Sequence, residues 1–323
     1  MMPWHRRALL ASLAFCLSFG AGAQSWPSKP VRIVVAYPAG GVSDVVARAL
    51  ADKLTSALGQ SVIVENKAGA SGSIGVDAVA KASPDGYTFG FAAISPLSLN
   101  PHLGKSPFDP VKDVVPVVSV MYSPVLLLAT SASDARDFKG LIDAARAKPG
   151  AIRWATSGNA SLGHIMLEQI ASAAKVQITH VPYKGGGQQM NDALSGQFEV
   201  LSSNAGPTLL QHVKAGKLRV LAVGAPARLD SLPAVPTLAE QGYGAANLSS
   251  TFGLFAPAGT PAAVVERINA EVNQALAQAD LRGKLLATDN VPTGGSAAEF
   301  ARVIATESDN NARIIRASRI RVD

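Results

Sequence analysis

Cysteine is almost missing from this chain of 323 residues: the one example, Cys16, lies near the amino terminus. Beyond that point there can be no disulfide, no thiolate metal site and no cysteine nucleophile, so stability must come from an apolar core. Charge is also sparse, with 16% charged residues, and aromatics make up only 6%. Basic residues are scattered except for Arg313, Arg316, Arg319 and Arg321 near the end. The dense basic patch interleaved with aromatics that marks a nucleic-acid reader is therefore lacking, and no nucleic-acid partner is expected. Apart from the apolar stretch 8–19, no hydrophobic run approaches the roughly 20 residues of a membrane span.

Signatures of catalysis are lacking as well. Gly104, Lys105 and Ser106 match the tail of a phosphate-binding loop, but Leu99 stands where its leading glycine belongs. Gly69, Gly72 and Gly75 have the wrong spacing for a dinucleotide fingerprint. There is no G-x-S-x-G elbow, and His102, His164, His180 and His212 form no H-E-x-x-H pair. No catalytic residue, no metal and no cofactor is expected.

What is present begins with an export signal. His5, Arg6 and Arg7 precede the apolar stretch 8–19, and Gly20, Ala21, Gly22 and Ala23 follow it. That order reads as a secretory signal peptide over residues 1–23, cleaved after Ala23, and it places the mature protein in the periplasm. A lipid anchor at Cys16 is disfavoured by the bulky Phe15 before it. The formal charge of +6 becomes +4 once Arg6 and Arg7 are removed, since residues 1–23 hold no acid. A mild positive field of that kind helps to gather small anions.

About 300 mature residues with 48% hydrophobic content exceed the usual size of one domain, so two lobes are expected. Segments rich in β-branched residues alternate with segments of helical period, which predicts α/β units around a largely parallel sheet. Strands are predicted over 31–37, 61–65 and 87–92, with helices over 45–58 and 73–81 between them. After a proline-punctuated stretch over 100–124 the alternation restarts with a strand at 125–129. It runs through helices at 138–148, 162–174, 188–194 and 208–215 and strands at 152–156, 177–181, 198–202 and 218–223. A strand at 252–256 then precedes helices over 261–279, 281–287 and 297–316. These last helices have no strands of their own to cover, so they are placed back on the first lobe. The expected division is 24–122 with 248–323 as lobe 1 and 123–247 as lobe 2. The chain then crosses between lobes twice, near Tyr122 and near Leu248, as in a hinge-closing binding protein.

Two strand-to-helix turns stand out. In the first, Tyr37 to Asp44, Gly40 and Gly41 permit close backbone approach to a ligand, and a helix N-terminus offers unpaired N–H groups to an anion. A plain tight turn with Ser43 or Asp44 as the helix cap explains the same residues. In the second, Thr156 to His164, Ser157, Asn159 and Ser161 can donate hydrogen bonds as well as cap, and His164 faces either the cleft or the core. Tyr183, Lys184 and Gly185 to Gly187 form a third turn of this kind. Asn204 ends another strand at the carboxyl edge, where open α/β sheets bind ligands.

Longer motifs recur along nearly the whole mature chain: Trp26-Pro-Ser-Lys-Pro-Val-Arg-Ile-Val-Val, Pro38-Ala-Gly-Gly with Asp44, Val64-Glu-Asn-Lys-Ala-Gly-Ala-Ser-Gly with Gly75, and Pro84-Asp-Gly-Tyr. They continue with Asn100-Pro, His180-Val-Pro-Tyr-Lys-Gly, Lys214-Ala-Gly-Lys-Leu-Arg, Pro233-Ala-Val-Pro-Thr and Phe255-Ala-Pro-Ala-Gly-Thr-Pro. In this order they resemble the Bug-type receptors of tripartite tricarboxylate transporters. The resemblance implies a two-lobed Venus-flytrap fold and a small organic acid bound partly through backbone groups. Its further implications are membrane subunits of a tripartite transporter as partners and a monomeric receptor. Carried over residue by residue, it implies ligand contacts from Ala39, Gly40, Gly41 and Asp44 in one lobe and Ser157, Asn159, Ser161 and His164 in the other.

The chain also departs from the family pattern. Ala93 and Ile94 stand where relatives show Thr and Ser, which leaves Ser95 as the nearest hydroxyl, and Ser202 and Ser203 replace a Phe-Asp or Phe-Ala pair before Asn204. Thr251 and Asn311 replace tryptophans, and one residue is inserted before Lys214. Transport is one reading; a periplasmic ligand sensor or scaffold for a signalling partner is the other.

Overall fold

The computed structural model describes residues 26–104, 106–184 and 186–318. The signal segment with Cys16, and Arg319 and Arg321, lie outside the described residues. Among the described residues, no helix is long and apolar enough to cross a membrane.

Strand β1 (Val31–Val35) is buried at nearly every position and pairs in parallel with β2 (Val62–Asn66) on one side and β3 (Thr88–Ala93) on the other. Its continuous Val and Ile run suits a strand covered on both faces. Helix α1 (Val42–Leu58) returns from β1, with Val46, Leu50 and Leu54 at helical spacing on the sheet and Gly59 closing it in a left-handed conformation. Full burial of one such side chain, as at Leu50, contributes about 2 kcal/mol. Helix α2 (Ser73–Ala80) covers the opposite face, and the single turn α3 (Ser95–Ser98) follows β3.

Strand β4 (Val114–Ala129) is much longer than the 125–129 expected. Pro116 and Pro124 made its first part read as loop. Strand β9 (Ser249–Pro257) runs antiparallel to that part, and register shifts beside Pro116 and Ser119 absorb the irregularity. Bulges and strand ends are where a residue without an N–H is tolerated. From Val125 onward the same strand changes neighbours, pairing antiparallel with β7 (Val200–Asn204) and β8 (Arg219–Gly224). β7 continues in parallel to β5 (Arg153–Thr156), and β5 to β6 (Thr179–Pro182).

The result is two α/β half-sheets joined through β4 and β9. Helices α4 (Phe138–Ala147), α5 (Leu162–Ala174), α6 (Gly186–Leu194) and α7 (Pro207–Lys214) belong to the second half, where Trp154, Leu127 and Leu201 lie fully buried. Helices α8 (Ala262–Ala277) and α9 (Ala279–Leu286) place Ile268, Val272 and Leu281 in the same core as Ile33 and Leu50. Strand β10 (Val291–Pro292), which the sequence did not announce, pairs with Met121 and Tyr122. Helix α10 (Ala297–Ser318) brings Ile315 against Leu99 and Ile165, a small apolar cluster that spans the two halves.

Candidate functional site

A cavity of about 440 Å³ lies between the half-sheets, at the carboxyl ends of their strands. On one side the chain leaves β1 through Tyr37 to Gly41, with Gly40 at φ +81°, a left-handed conformation that suits glycine. Gly41 caps α1 and offers no side-chain acceptor, so the first N–H groups of the helix have no partner within it. Ala39, Gly40 and Gly41 line the cavity, together with Ser43.

Asp44 is neither the cap nor part of the cavity wall. Its carboxylate accepts hydrogen bonds from the Gly40 N–H and from Asn66 Nδ2, both at 3.0 Å, and pairs with Arg48 at 2.9 Å. Burial works to raise its pKa, but the Arg48, Gly40 and Asn66 donors together hold the carboxyl below its ordinary value. Asn66 Nδ2 also donates to the Tyr37 carbonyl at 3.0 Å. Asp44 thus braces the turn from behind and leaves the cavity face without a charge.

Across the cavity, β5 ends in the turn to α5, where Ser161 Oγ caps the helix by accepting from the His164 N–H at 3.3 Å. Ser157 and Ser161 line the cavity. Asn159 and His164 do not. The Asn159 side chain is exposed, and its carbonyl accepts a hydrogen bond from Ser71 Oγ across the cleft. Gly158, at φ +144°, faces Ser71 so closely that an added Cβ would stand 2.6 Å from the hydroxyl. His164 is buried and stacks on His180 with ring centroids 3.9 Å apart.

These two imidazoles prop the turn. Thr156 Oγ1 donates its one hydrogen to the Gly158 carbonyl at 3.0 Å, so at 2.7 Å it must accept from His180 Nε2–H. His164 Nδ1 accepts from the Ala160 N–H at 3.3 Å, and its Nε2 faces Glu168 at 3.6 Å. Burial, with His164 adding to it and Glu168 opposing, pushes the His180 imidazole down from 6.5 to about 4. A histidine held neutral in this way contributes stability that is complete above its unfolded value and lost as the pH falls through the folded one. The melting temperature should therefore drop between those two pH values. His180→Gln should remove that part of the drop. Differential scanning calorimetry across that range checks it, and an unchanged pH profile in the variant would refute the assignment.

The remaining walls come from α6, α7 and the strand ends. Gln189, buried on α6, ties that helix to the sheet by donating to the Ala155 and Ser202 carbonyls at 2.9 and 3.2 Å. α7 starts at Gly206, which again provides no side-chain cap and packs against Val42 of α1. Asn204 lines the floor and donates to the Ser123 and Pro124 carbonyls, binding β7 to the crossing strand. Ser202, also on the floor, accepts the Trp154 indole N–H at 3.1 Å. Ser95 reaches the wall from the turn after β3, with Phe252 beside it.

Of the residues expected to bind, the structure brings Ala39, Gly40, Gly41, Ser95, Ser157, Ser161 and Asn204 to one cavity, and leaves Asp44, Asn159 and His164 off its wall. Sequence reasoning missed Ser71 and the α6 and α7 faces that carry Asn191, Thr208 and His212. Ser71 did have a signal, the flanking Gly69 and Gly72, both at positive φ. Lys184 is exposed and off the wall. No Asp, Glu, Lys or Arg side chain lines the cavity among the described residues.

Comparison with known proteins agrees with this architecture. Residues 46–320 match the family model described as tripartite tricarboxylate transporter family receptor. Protein BugT of Bordetella pertussis is 37% identical over 256 residues, 79% of this chain and 78% of BugT. An R. palustris protein solved with adipate superposes with TM-score 0.87 at 32% identity, covering 92% of this chain and 99% of that one. MatC from Rhodopseudomonas palustris, solved with bound malate, gives 0.85 at 28% identity, covering 90% and 100%. The two-lobed α/β architecture, the interlobe cavity and the family match converge: the chain belongs to the tripartite tricarboxylate transporter receptor family, the periplasmic solute-binding receptors also known as Bug or TctC proteins.

Proposed function

We propose that the chain captures a small carboxylate in the interlobe cavity and delivers it to the membrane subunits of a tripartite transporter. One observation carries the reading. Helices α1, α5, α6 and α7, from both lobes, all open on a cavity whose wall holds no acidic side chain. Aligned N–H groups at helix starts favour an anion, and several converging on one space favour it more. The relatives solved with adipate and malate support the same ligand class. On this reading the ligand is held by Ala39, Gly40, Gly41, Ser95, Ser157, Ser161 and Asn204, with Asp44, Asn159 and His164 as supports. The protein is a monomeric, non-enzymatic receptor exported by cleavage after Ala23.

Lobe 1 comprises 24–122 with 248–323, lobe 2 comprises 123–247, and the hinge lies at the two crossings. The change of partners along β4 at Pro124 and Val125 supports that hinge position. The test is a thermal-shift screen of organic acids. A ligand present at about 100 times its dissociation constant adds about 2.7 kcal/mol of stability, so the cognate acid should raise the melting temperature clearly. Equal melting temperatures across mono-, di- and tricarboxylates would sink the proposal.

A further inference from the structure

Among the described residues, His212 is the one imidazole on the cavity wall, and none of them makes a hydrogen bond or ion pair to its ring. The other described histidines are all engaged: His102 with Ser308, His164 with Ala160 and Glu168, His180 with Thr156. His212 shares the cavity face of α7 with Thr208, one turn nearer the helix start. At 1.5 Å per residue the two are roughly 6 Å apart along the axis. A carboxylate seated at the helix starts therefore leaves the imidazole within reach of a second acidic group at the far end of a short chain. An imidazole N–H turned into the cavity can donate a hydrogen bond to an anionic oxygen.

Resting on the carboxylate reading above, we propose that His212 is a specificity-determining residue: it pairs with the second carboxylate of a short diacid and so selects diacids over monoacids of the same length. Among the described residues, no charged group on the facing elements competes for that role. Asp44 and Arg48 of α1 pair with each other, and Asp192 of α6 accepts the Tyr183 hydroxyl. Lys214 of α7 is exposed and off the wall, and the His164, His180 and Glu168 group lies behind the lobe 2 turn.

The test is calorimetry of adipate and hexanoate, which share a carbon chain and differ in one carboxylate, on the wild-type protein and on His212→Leu, which keeps bulk and removes the ring donor. Wild type should prefer adipate by about tenfold or more. His212→Leu should abolish the preference. Its hexanoate affinity should stay at the wild-type value, which also reports that the site is intact. An unchanged adipate preference in the variant overturns the role of His212 and leaves the carboxylate reading standing. Failure of both acids to bind either protein overturns the diacid selection, while the carboxylate reading is decided by the thermal-shift screen.

Discussion

Converting the bound acid to its primary amide should weaken binding at least about a hundredfold. Apart from His212 at its far side, the donors on the wall are neutral, the amides at the starts of α1, α5, α6 and α7 and the hydroxyls of Ser157 and Ser161. Each hydrogen bond to a charged acceptor contributes about 1.5 to 3 kcal/mol, and an amide loses the charge and turns one acceptor oxygen into a donor. Two lost bonds amount to a hundredfold or more in affinity. The opposing NH₂ and N–H groups then carry like partial charges toward each other, which adds to the loss. Isothermal titration of the acid found by screening, beside its amide, measures the difference. Equal affinities would mean that the helix starts do not hold the ligand, whatever the fold.

A large effect on stability is expected at Gly253. This residue lies on β9 opposite Ala92 of β3 and Ser119 of β4, in the middle of the first half-sheet. A Cβ there would stand 2.3 and 2.5 Å from ring atoms of Phe300 and 2.6 Å from the Val118 carbonyl oxygen. Phe300 is itself 1% exposed and has nowhere to turn, so Gly253→Ala should cost on the order of 3 kcal/mol. Gly283 gives the opposite result. It is exposed in α9, and an added Cβ meets nothing within 4 Å, so Gly283→Ala should stabilise by about 0.5 to 1 kcal/mol through lower unfolded-chain entropy. Urea unfolding of the two variants should move the midpoint in opposite directions. Similar midpoints would contradict the packing described around Phe300.

Much of this architecture is legible in the chain because strand, turn and helix each leave a separate physical mark. The Val and Ile run of β1, the Pro38 to Gly41 break and the apolar spacing of Val46, Leu50 and Leu54 announce one α/β unit without any tertiary information. What stayed hidden depends on partners distant in sequence. Residues 114–124 contain two prolines and read as loop, yet they form a strand because β9 lies beside them and bulges accommodate Pro116. The site was legible as a set of turns but not as a set of directions. Asp44 and His164 sit at the right turns; the i,i+4 spacing announces the pairing of Asp44 with Arg48, but nothing local tells that the carboxylate turns away from the cavity or that one imidazole stacks on His180. His212 carried no local signal, since only the packing of α7 over the cavity turns it inward.

The pairing of β3 with β9 also sets an order of events during synthesis. Gly90 lies opposite Phe255 and Ala93 opposite Phe252, so the inner edge of β3 has no partner until almost the whole chain has left the ribosome. Every residue of β3 is buried in the finished protein, and an apolar strand with an open edge invites pairing with other chains. The second half-sheet, whose β5 to β8 follow one another directly, needs no such wait. Until β9 arrives, the apolar inner edge of β3 has no strand to pair with, so the first half-sheet closes only after the chain of the second is complete.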